Sequence, residues 1–211
     1  MNPIVIVGAG GFGREVCAYA ADLGWPVAGF ADDEPRALDG FTLPVGVLGP
    51  VDAVDITPAT RFIVAVGDPA LRHKLAAAVI GRGGVLGTLV HPRAYVAAGA
   101  RLEPGCVVCP FAFVGSGAHL AANAVVNIHA SVGHDATVGE HAVLSPFAAV
   151  NGHASIGAAA FLGTHATVTP GRRVGTGAKV SAGSVVLRDV PAGALAVGNP
   201  ARSRVMFPDA G

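Results

Sequence analysis

Net charge is what this sequence has least of. Fourteen Lys and Arg are matched by 14 Asp and Glu, and the four types together make up 13% of 211 residues. Without a basic excess there is no long-range field to gather a nucleic-acid backbone or an anionic bilayer, so neither is expected as a partner. Long apolar runs are missing as well. Although 52% of the residues are hydrophobic, Gly, Pro or a charge interrupts every stretch short of the ~20 residues a spanning helix needs. The start, Met1-Asn2-Pro3-Ile4-Val5-Ile6-Val7-Gly8, has no basic segment, and its apolar run is shorter than a signal peptide requires. A cytoplasmic protein without membrane insertion is expected. Cysteine is scarce too: three residues, an odd number, make no disulfide framework. Cys106 and Cys109 form a lone Cys-x-x-Cys, weak ground for zinc or redox chemistry.

Glycine (30) and proline (15) are plentiful, which is too much punctuation for a helical bundle, in a chain too apolar for disorder. From Val90 an aliphatic residue returns at every sixth position, 17 times in succession, ending at Val186. Four places after each sits a small residue, from Ala94, Ala100 and Cys106 to Ala178 and Ser184; Arg172 breaks the rule, and Val190 lies at its fading end. A period of six fits neither a helix at 3.6 nor an uninterrupted strand at 2; it fits a short strand and a corner repeated as a coil, the small residue taking the corner. The pattern resembles the hexapeptide repeat of the left-handed parallel β-helix, in which three hexads close one triangular coil; the left hand comes from that resemblance. Residues 18 apart then stack on neighbouring coils ~4.8 Å apart, giving about five coils. Cys106 falls on the small inward position, where it reads as a core thiol. No insertion breaks the hexads, so an active site must use a face, an end or a neighbouring copy.

Ahead of the repeat, residues 4–7 read as a buried strand, followed by Gly8-Ala9-Gly10-Gly11-Phe12-Gly13 and a helix opening at Arg14-Glu15-Val16. A strand, a Gly-rich turn and a helix N-terminus can hold a phosphate, because the glycines let the backbone approach and the first N–H groups are free. A second strand near Val27–Ala31 ends in Asp32-Asp33, where a ribose-binding acid would lie, and the strand Phe62–Val66 leads through Gly67-Asp68 into a helix reaching about Ile80. The same turn can equally pack helix on strand without a ligand. These elements end near residue 88, too early for a full dinucleotide fold, so a mononucleotide or sugar nucleotide fits better than NAD. The expected fold class is therefore an α/β Rossmann-like domain over residues 1–88, followed by the β-helix over residues 89–211, packed directly without a flexible linker.

Among the histidines, His129, His141, His153 and His165 recur every 12 residues, a spacing that sends successive ones to different faces. Only His129 and His165 share a face, two coils apart with Phe147 between them. Zinc needs its nitrogens ~2.0–2.1 Å from one point, so these four cannot supply it within one chain, and no metal is expected. His134 stands between Ser116 and Gly152 in its column, beside open space; next to it, Asp135 stacks under His153, and Asn127 stacks under Ser145 and Gly163. A histidine beside a carboxylate suits a general base at neutral pH, and a merely solvated histidine is the plainer reading of the same residues.

The stretch Val126-Asn127-Ile128-His129-Ala130-Ser131-Val132-Gly133-His134-Asp135-Ala136-Thr137-Val138-Gly139, with Gly8–Glu15 and Val197-Gly198-Asn199-Pro200-Ala201-Arg202, resembles the sugar O-/N-acyltransferases, a family that includes sialic acid O-acetyltransferases and the bacillosamine and perosamine N-acetyltransferases. The resemblance implies His134 as the catalytic base with Asp135 orienting it, in a homotrimer that binds acetyl-CoA between adjacent β-helices. Acetyl-CoA would meet Asn127, Ser145, Gly152, Gly163, Thr164 and Ala182, with Pro200 near its adenine. It also implies that a nucleotide-linked sugar occupies Gly10, Gly11, Phe12, Gly13, Asp32, Asp33, Gly67 and Asp68; Phe12 stands where several nucleotide-sugar N-acetyltransferases have His. The expected activity is acetyl transfer from acetyl-CoA to a hydroxyl or amino group of a surface-glycan sugar. A silent nucleotide-binding scaffold and a γ-carbonic-anhydrase-like zinc enzyme are the alternatives.

Overall fold

The computed structural model describes residues 3–206; residues 1–2 and 207–211, which belong to the two domains expected from sequence, lie outside the described residues. The apolar run Ile4–Val7 forms β1, buried throughout as a central parallel strand must be. The chain continues through α1 (Gly11–Asp22), β2 (Val27–Ala31), β3 (Val47–Gly49), β4 (Arg61–Val64), α2 (Pro69–Gly81) and β5 (Val85–Leu86). The five strands are parallel in the order β3-β2-β1-β4-β5. Order therefore reverses beside β1, and the carboxyl ends of β1 and β4 open on a shared crevice, the usual ligand position in such sheets. The strand expected over Phe62–Val66 is shorter at its end, because Val66 leaves the sheet and packs on Gly8: a Cβ at Gly8 would lie 2.8 Å from Val66 Cγ1. The two short outer strands, β3 and β5, lack a clear period and were not expected from sequence.

From Leu89 the chain winds as a three-sided parallel β-helix of two-residue strands. Each residue pairs with the one 18 positions on, as Val107 with Val125 and Val125 with Val143. Face A holds Leu89–Val90, Val107–Val108, Val125–Val126, Val143–Leu144, Phe161–Leu162 and Lys179–Val180, and ends in Ala194–Val197 with the antiparallel Arg202–Val205. Face B runs from Tyr95–Val96 to Val185–Val186, and face C from Arg101–Leu102 to Arg173–Val174. The sixth-position aliphatics and the small corner residues together fill the interior, each fully buried Val or Leu stabilising by ~1.5–3 kcal/mol. Corners are tight: among the described residues nine non-glycine positions, Asn123, Asp135 and His141 included, take φ between 52° and 61°. A left-handed residue costs about 1–2 kcal/mol, offset here by corner-to-corner bonds such as Asp135 N to Ser116 O at 3.0 Å.

The outward side chains of face A, Leu89, Val107, Val125 and Val143, share one apolar cluster with Val16, Tyr19 and Ala20 of α1 and with Ile4 and Ile6 of β1. The α/β unit thus lies directly on face A. Polar ties reinforce it: the His91 imidazole meets the Asp22 carboxylate at 2.9 Å, and Arg72 of α2 reaches Asn123 at the corner between faces C and A. In a triangular coil the corner between faces B and C is the vertex opposite face A, the farthest from this unit. The Cys-x-x-Cys spans two different corners. Cys106 points inward and donates to Ala121 O, while Cys109 lies in the cluster under α1; burial pushes the Cys106 thiol up to about 11 and the Cys109 thiol higher still. Both are protonated core thiols.

Candidate active site

His134 and Asp135 stand together at the B–C corner, both exposed. The His134 Nδ1 lies 2.9 Å from Asp135 Oδ2. A carboxylate only accepts, so this contact holds the proton on Nδ1 and leaves Nε2 with its lone pair. That nitrogen lies over Gly152 of the next coil, where a Cβ would come within 2.5 Å of it. Glycine there is what lets the ring fold onto the corner. Asp135 is fixed in turn: its other carboxylate oxygen lies over Gly117, and its backbone N–H is bound to Ser116 O. His153 stacks edge-on to His134 with ring centroids 4.9 Å apart, and its Nε2 is 3.9 Å from Asp135 Oδ2.

The residues expected to meet acetyl-CoA divide between two corners. Asn127, Ser145 and Gly163 form one column at the A–B corner, in the 18-residue register, with Thr164 and Ala182 stacked beside them. Ser145 and Gly163 are buried, Thr164 and Ala182 exposed. Gly152 alone sits with His134 at the B–C corner, at the other edge of face B, and the exposed Pro200 lies in the tail beyond Ala194–Val197. At the A–B corner an aromatic ladder runs alongside the column: Phe111, His129, Phe147 and His165 stack with centroids 5.0, 4.8 and 4.8 Å apart. His141 is at the C–A corner, His153 at the B–C corner, so the histidines 12 apart are dispersed as their spacing requires.

In the α/β unit, Gly10 and Gly67 flank the crevice with open space where a Cβ would be. Gly10 is the N-cap of α1, followed by Gly11, Phe12 and Gly13 in its first turn. Gly13 has a packing role, since a Cβ there would collide with the Gly8 carbonyl oxygen. Asp32 accepts from Ala9 N at 2.7 Å and from Glu34 N at 3.0 Å, tying the end of β2 to the Gly-rich turn. Asp33 is exposed beside it. Asp68 caps α2 by accepting from Leu71 N at 2.9 Å, which gives it a structural task at the crevice rim.

The PglD N-terminal domain family model matches residues 3–79. A mutant perosamine N-acetyltransferase from Caulobacter crescentus, solved in complex with CoA and GDP-perosamine, is 33% identical with a TM-score of 0.90, and 97% of each chain is covered. The chain belongs to the β-helical sugar acetyltransferases. The acetyltransferase domain of PglB from Neisseria gonorrhoeae, in complex with acetyl coenzyme A, is a second such match at 31% identity and TM-score 0.88, covering 96% of this chain and 99% of that one. WeeI from Acinetobacter baumannii follows the same course at 28% identity and TM-score 0.86, over 95% and 99% of the two chains. No curated protein matches by sequence. Among the described residues of this sugar acetyltransferase, no helix is long and apolar enough to cross a membrane.

Two features of the acetyltransferase are not drawn from sequence. The stacking of Asp135 under His153 follows from the 18-residue step, but not its consequence: His134, Asp135 and His153 each offer a ligand atom within 4.8 Å of the others, a group able to hold a metal ion. Arg72, buried in the first turn of α2, carries no local signal of its role at all.

Proposed function

We propose that this sugar acetyltransferase moves the acetyl group of acetyl-CoA to an amino or hydroxyl group of a nucleotide-linked sugar, with His134 as general base and Asp135 orienting it. The observation that carries the reading is the bare Nε2 of His134, held open over Gly152 by the Nδ1 contact to Asp135. As the acceptor attacks the thioester carbonyl, Nε2 takes its proton and the resulting imidazolium is stabilised by the carboxylate. The thiolate of CoA leaves and no covalent enzyme intermediate is needed. The bare backbone at Gly152 gives the developing oxyanion room, and the Gly152 N–H is the donor proposed for it, since the flanking Asn151 and His153 N–H groups already bond Val168 O and His134 O.

The acceptor belongs in the crevice of Gly10, Gly11, Phe12, Gly13, Asp32, Asp33, Gly67 and Asp68, so residues 1–88 bind the sugar nucleotide and residues 89–211 carry out transfer. Acetyl-CoA belongs along Asn127, Ser145, Gly163, Thr164 and Ala182, with Gly152 at its thioester and Pro200 near its adenine. Charge supports that direction: residues 141–171 contain no Asp, Glu, Lys or Arg, whereas residues 172–204 contain six basic residues and one acidic one, a match for the phosphates at one end of CoA. Geometry supports a site shared between copies in a homotrimer. The cofactor column and the base occupy opposite edges of face B, and the acceptor crevice lies on face A, away from the B–C vertex. A second chain placing its B–C corner against the first chain's A–B corner unites all three. A bacterial cytoplasmic sugar-nucleotide pool is the setting this chemistry implies.

The test is thiol release from acetyl-CoA with UDP-, GDP- and CMP-linked amino sugars and free sialic acids as acceptors. Turnover with a nucleotide-linked amino sugar is expected, and His134→Ala should lower it by about 10²–10⁴-fold while acetyl-CoA still binds. Near-normal turnover in that variant overturns the assignment of the base.

A further inference from the structure

Arg72 is fully buried in the first turn of α2. Its guanidinium has five N–H donors, and five bonds are made. Nη1 donates to Val64 O at 2.7 Å and Val66 O at 3.1 Å. Nε donates to Asn123 O at 3.1 Å, and Nη2 to Asn123 O at 2.9 Å and to Asn123 Oδ1 at 2.5 Å. Every partner is a carbonyl oxygen; among the described residues no carboxylate answers the charge. A cation placed without a counter-ion in a buried seam is costly, and replacing it with an apolar side chain of similar volume is the usual route to stability. What the fork does that no apolar side chain can do is hold three backbone carbonyls from two units in one plane.

Those carbonyls are not arbitrary. Val64 ends β4, and Val66 opens the turn that continues into Gly67 and Asp68 on the crevice rim. The Val66 side chain rests on Gly8, the first residue of the opposing Gly-rich turn. On the other side, Asn123 is a fully buried left-handed corner residue of the β-helix, with φ of 58°. Its Nδ2 faces His141 Nδ1 at 3.0 Å, and the His141 ring stacks on His73 of α2 at 4.6 Å. A chain of contacts therefore runs from a rigid coil corner through Arg72 to both walls of the crevice.

We propose that Arg72 is a positioning residue for the sugar-nucleotide acceptor: through Asn123 it fixes the Val64–Asp68 turn, and with it the crevice, in shape and in orientation to the β-helix. The proposal rests on the reading that the acceptor binds this crevice. Lysine has three rotatable donors on a point charge and cannot reproduce the fork, so Arg72→Lys keeps the charge and loses the geometry. Asn123→Gly keeps the left-handed corner and the backbone carbonyl that accepts from Arg72 Nε and Nη2, while removing the Oδ1 bond from Arg72 together with the Nδ2 contacts to His141 and the Arg72 carbonyl.

The experiment measures kcat and both KM values, with acetyl-CoA and the best acceptor from the nucleotide-sugar panel, for wild type, Arg72→Lys, Asn123→Gly and Gly67→Trp, which fills the crevice. Arg72→Lys is expected to raise acceptor KM at least tenfold, with acetyl-CoA KM within twofold of wild type, and Asn123→Gly to raise acceptor KM two- to fivefold. If Arg72→Lys does not fold, Asn123→Gly carries the test, its fold checked by circular dichroism. Unchanged acceptor KM in the folded variants, while Gly67→Trp abolishes acceptor use, overturns the role of Arg72 alone. If Gly67→Trp leaves acceptor KM unchanged, the crevice reading fails and this proposal with it.

Discussion

At the scale of single residues, the proposed base, His134, depends on a glycine it does not bond. A Cβ on Gly152 would lie 2.5 Å from His134 Nε2 and 2.7 Å from its Cε1, so any side chain there must tilt the ring away from its contact with Asp135. Displacing a catalytic group by about 1 Å costs on the order of 10²-fold in rate. Gly152→Ala is therefore expected to lose activity on that scale while retaining its thermal midpoint, because Gly152 has no left-handed φ to strain; thiol release beside a melting curve checks it, and wild-type turnover would show that the ring tolerates displacement. The pair His134–Asp135 and its neighbour Gly152 were legible from sequence because the 18-residue step maps column neighbours without coordinates. Arg72 was not, because Asn123, its partner across the seam, is 51 residues away and nothing in an Ala- and Leu-rich helix marks one arginine as buried.

At the scale of elements, the corners hold the residues proposed for the chemistry and the strands carry the repeat. The sixth-position aliphatics identify every two-residue strand of the coil, since each must point inward. They do not reveal β3 and β5, whose two or three residues are too few to show a period. The C–A corner against α2 has a pH response of its own. Burial lowers the pKa of His141, with neighbouring His73 and Arg72 acting the same way and Glu140 opposing them. Its Nδ1 accepts from Asn123, which a proton on that nitrogen would abolish. A folded value below the unfolded one, about 6.5, means that the unfolded chain binds the proton more readily. This contribution is thus fully present above about pH 6.5 and lost as pH falls through the folded value. His141→Asn, a residue suited to the left-handed corner, should show a shallower decline in melting temperature from pH 7 to about pH 5 than wild type; parallel declines would assign the acid sensitivity elsewhere.

At the scale of the molecule, the arrangement of the three faces is what the hexad pattern could not disclose, because it does not say which face the α/β unit covers. That unit lies on face A through Leu89, Val107, Val125 and Val143, which turns its own B–C corner, with His134, to the far side. If the acceptor bound on one chain is acetylated by the imidazole of the next, two inactive variants should repair each other. His134→Ala has an intact crevice and no base; Gly67→Trp has an intact base and, because nothing stands within 4 Å of a Cβ at that position, a blocked crevice in an undisturbed fold. Mixed oligomers from co-expressed, differently tagged chains then contain interfaces that join the good crevice of one variant to the good histidine of the other. With random assembly around a cyclic axis, about one interface in four has that composition, so the mixture should recover about a quarter of wild-type activity although each parent has almost none. A site contained within a single chain has no intact copy in such a mixture, and the mixed oligomer would then be as inactive as its parents.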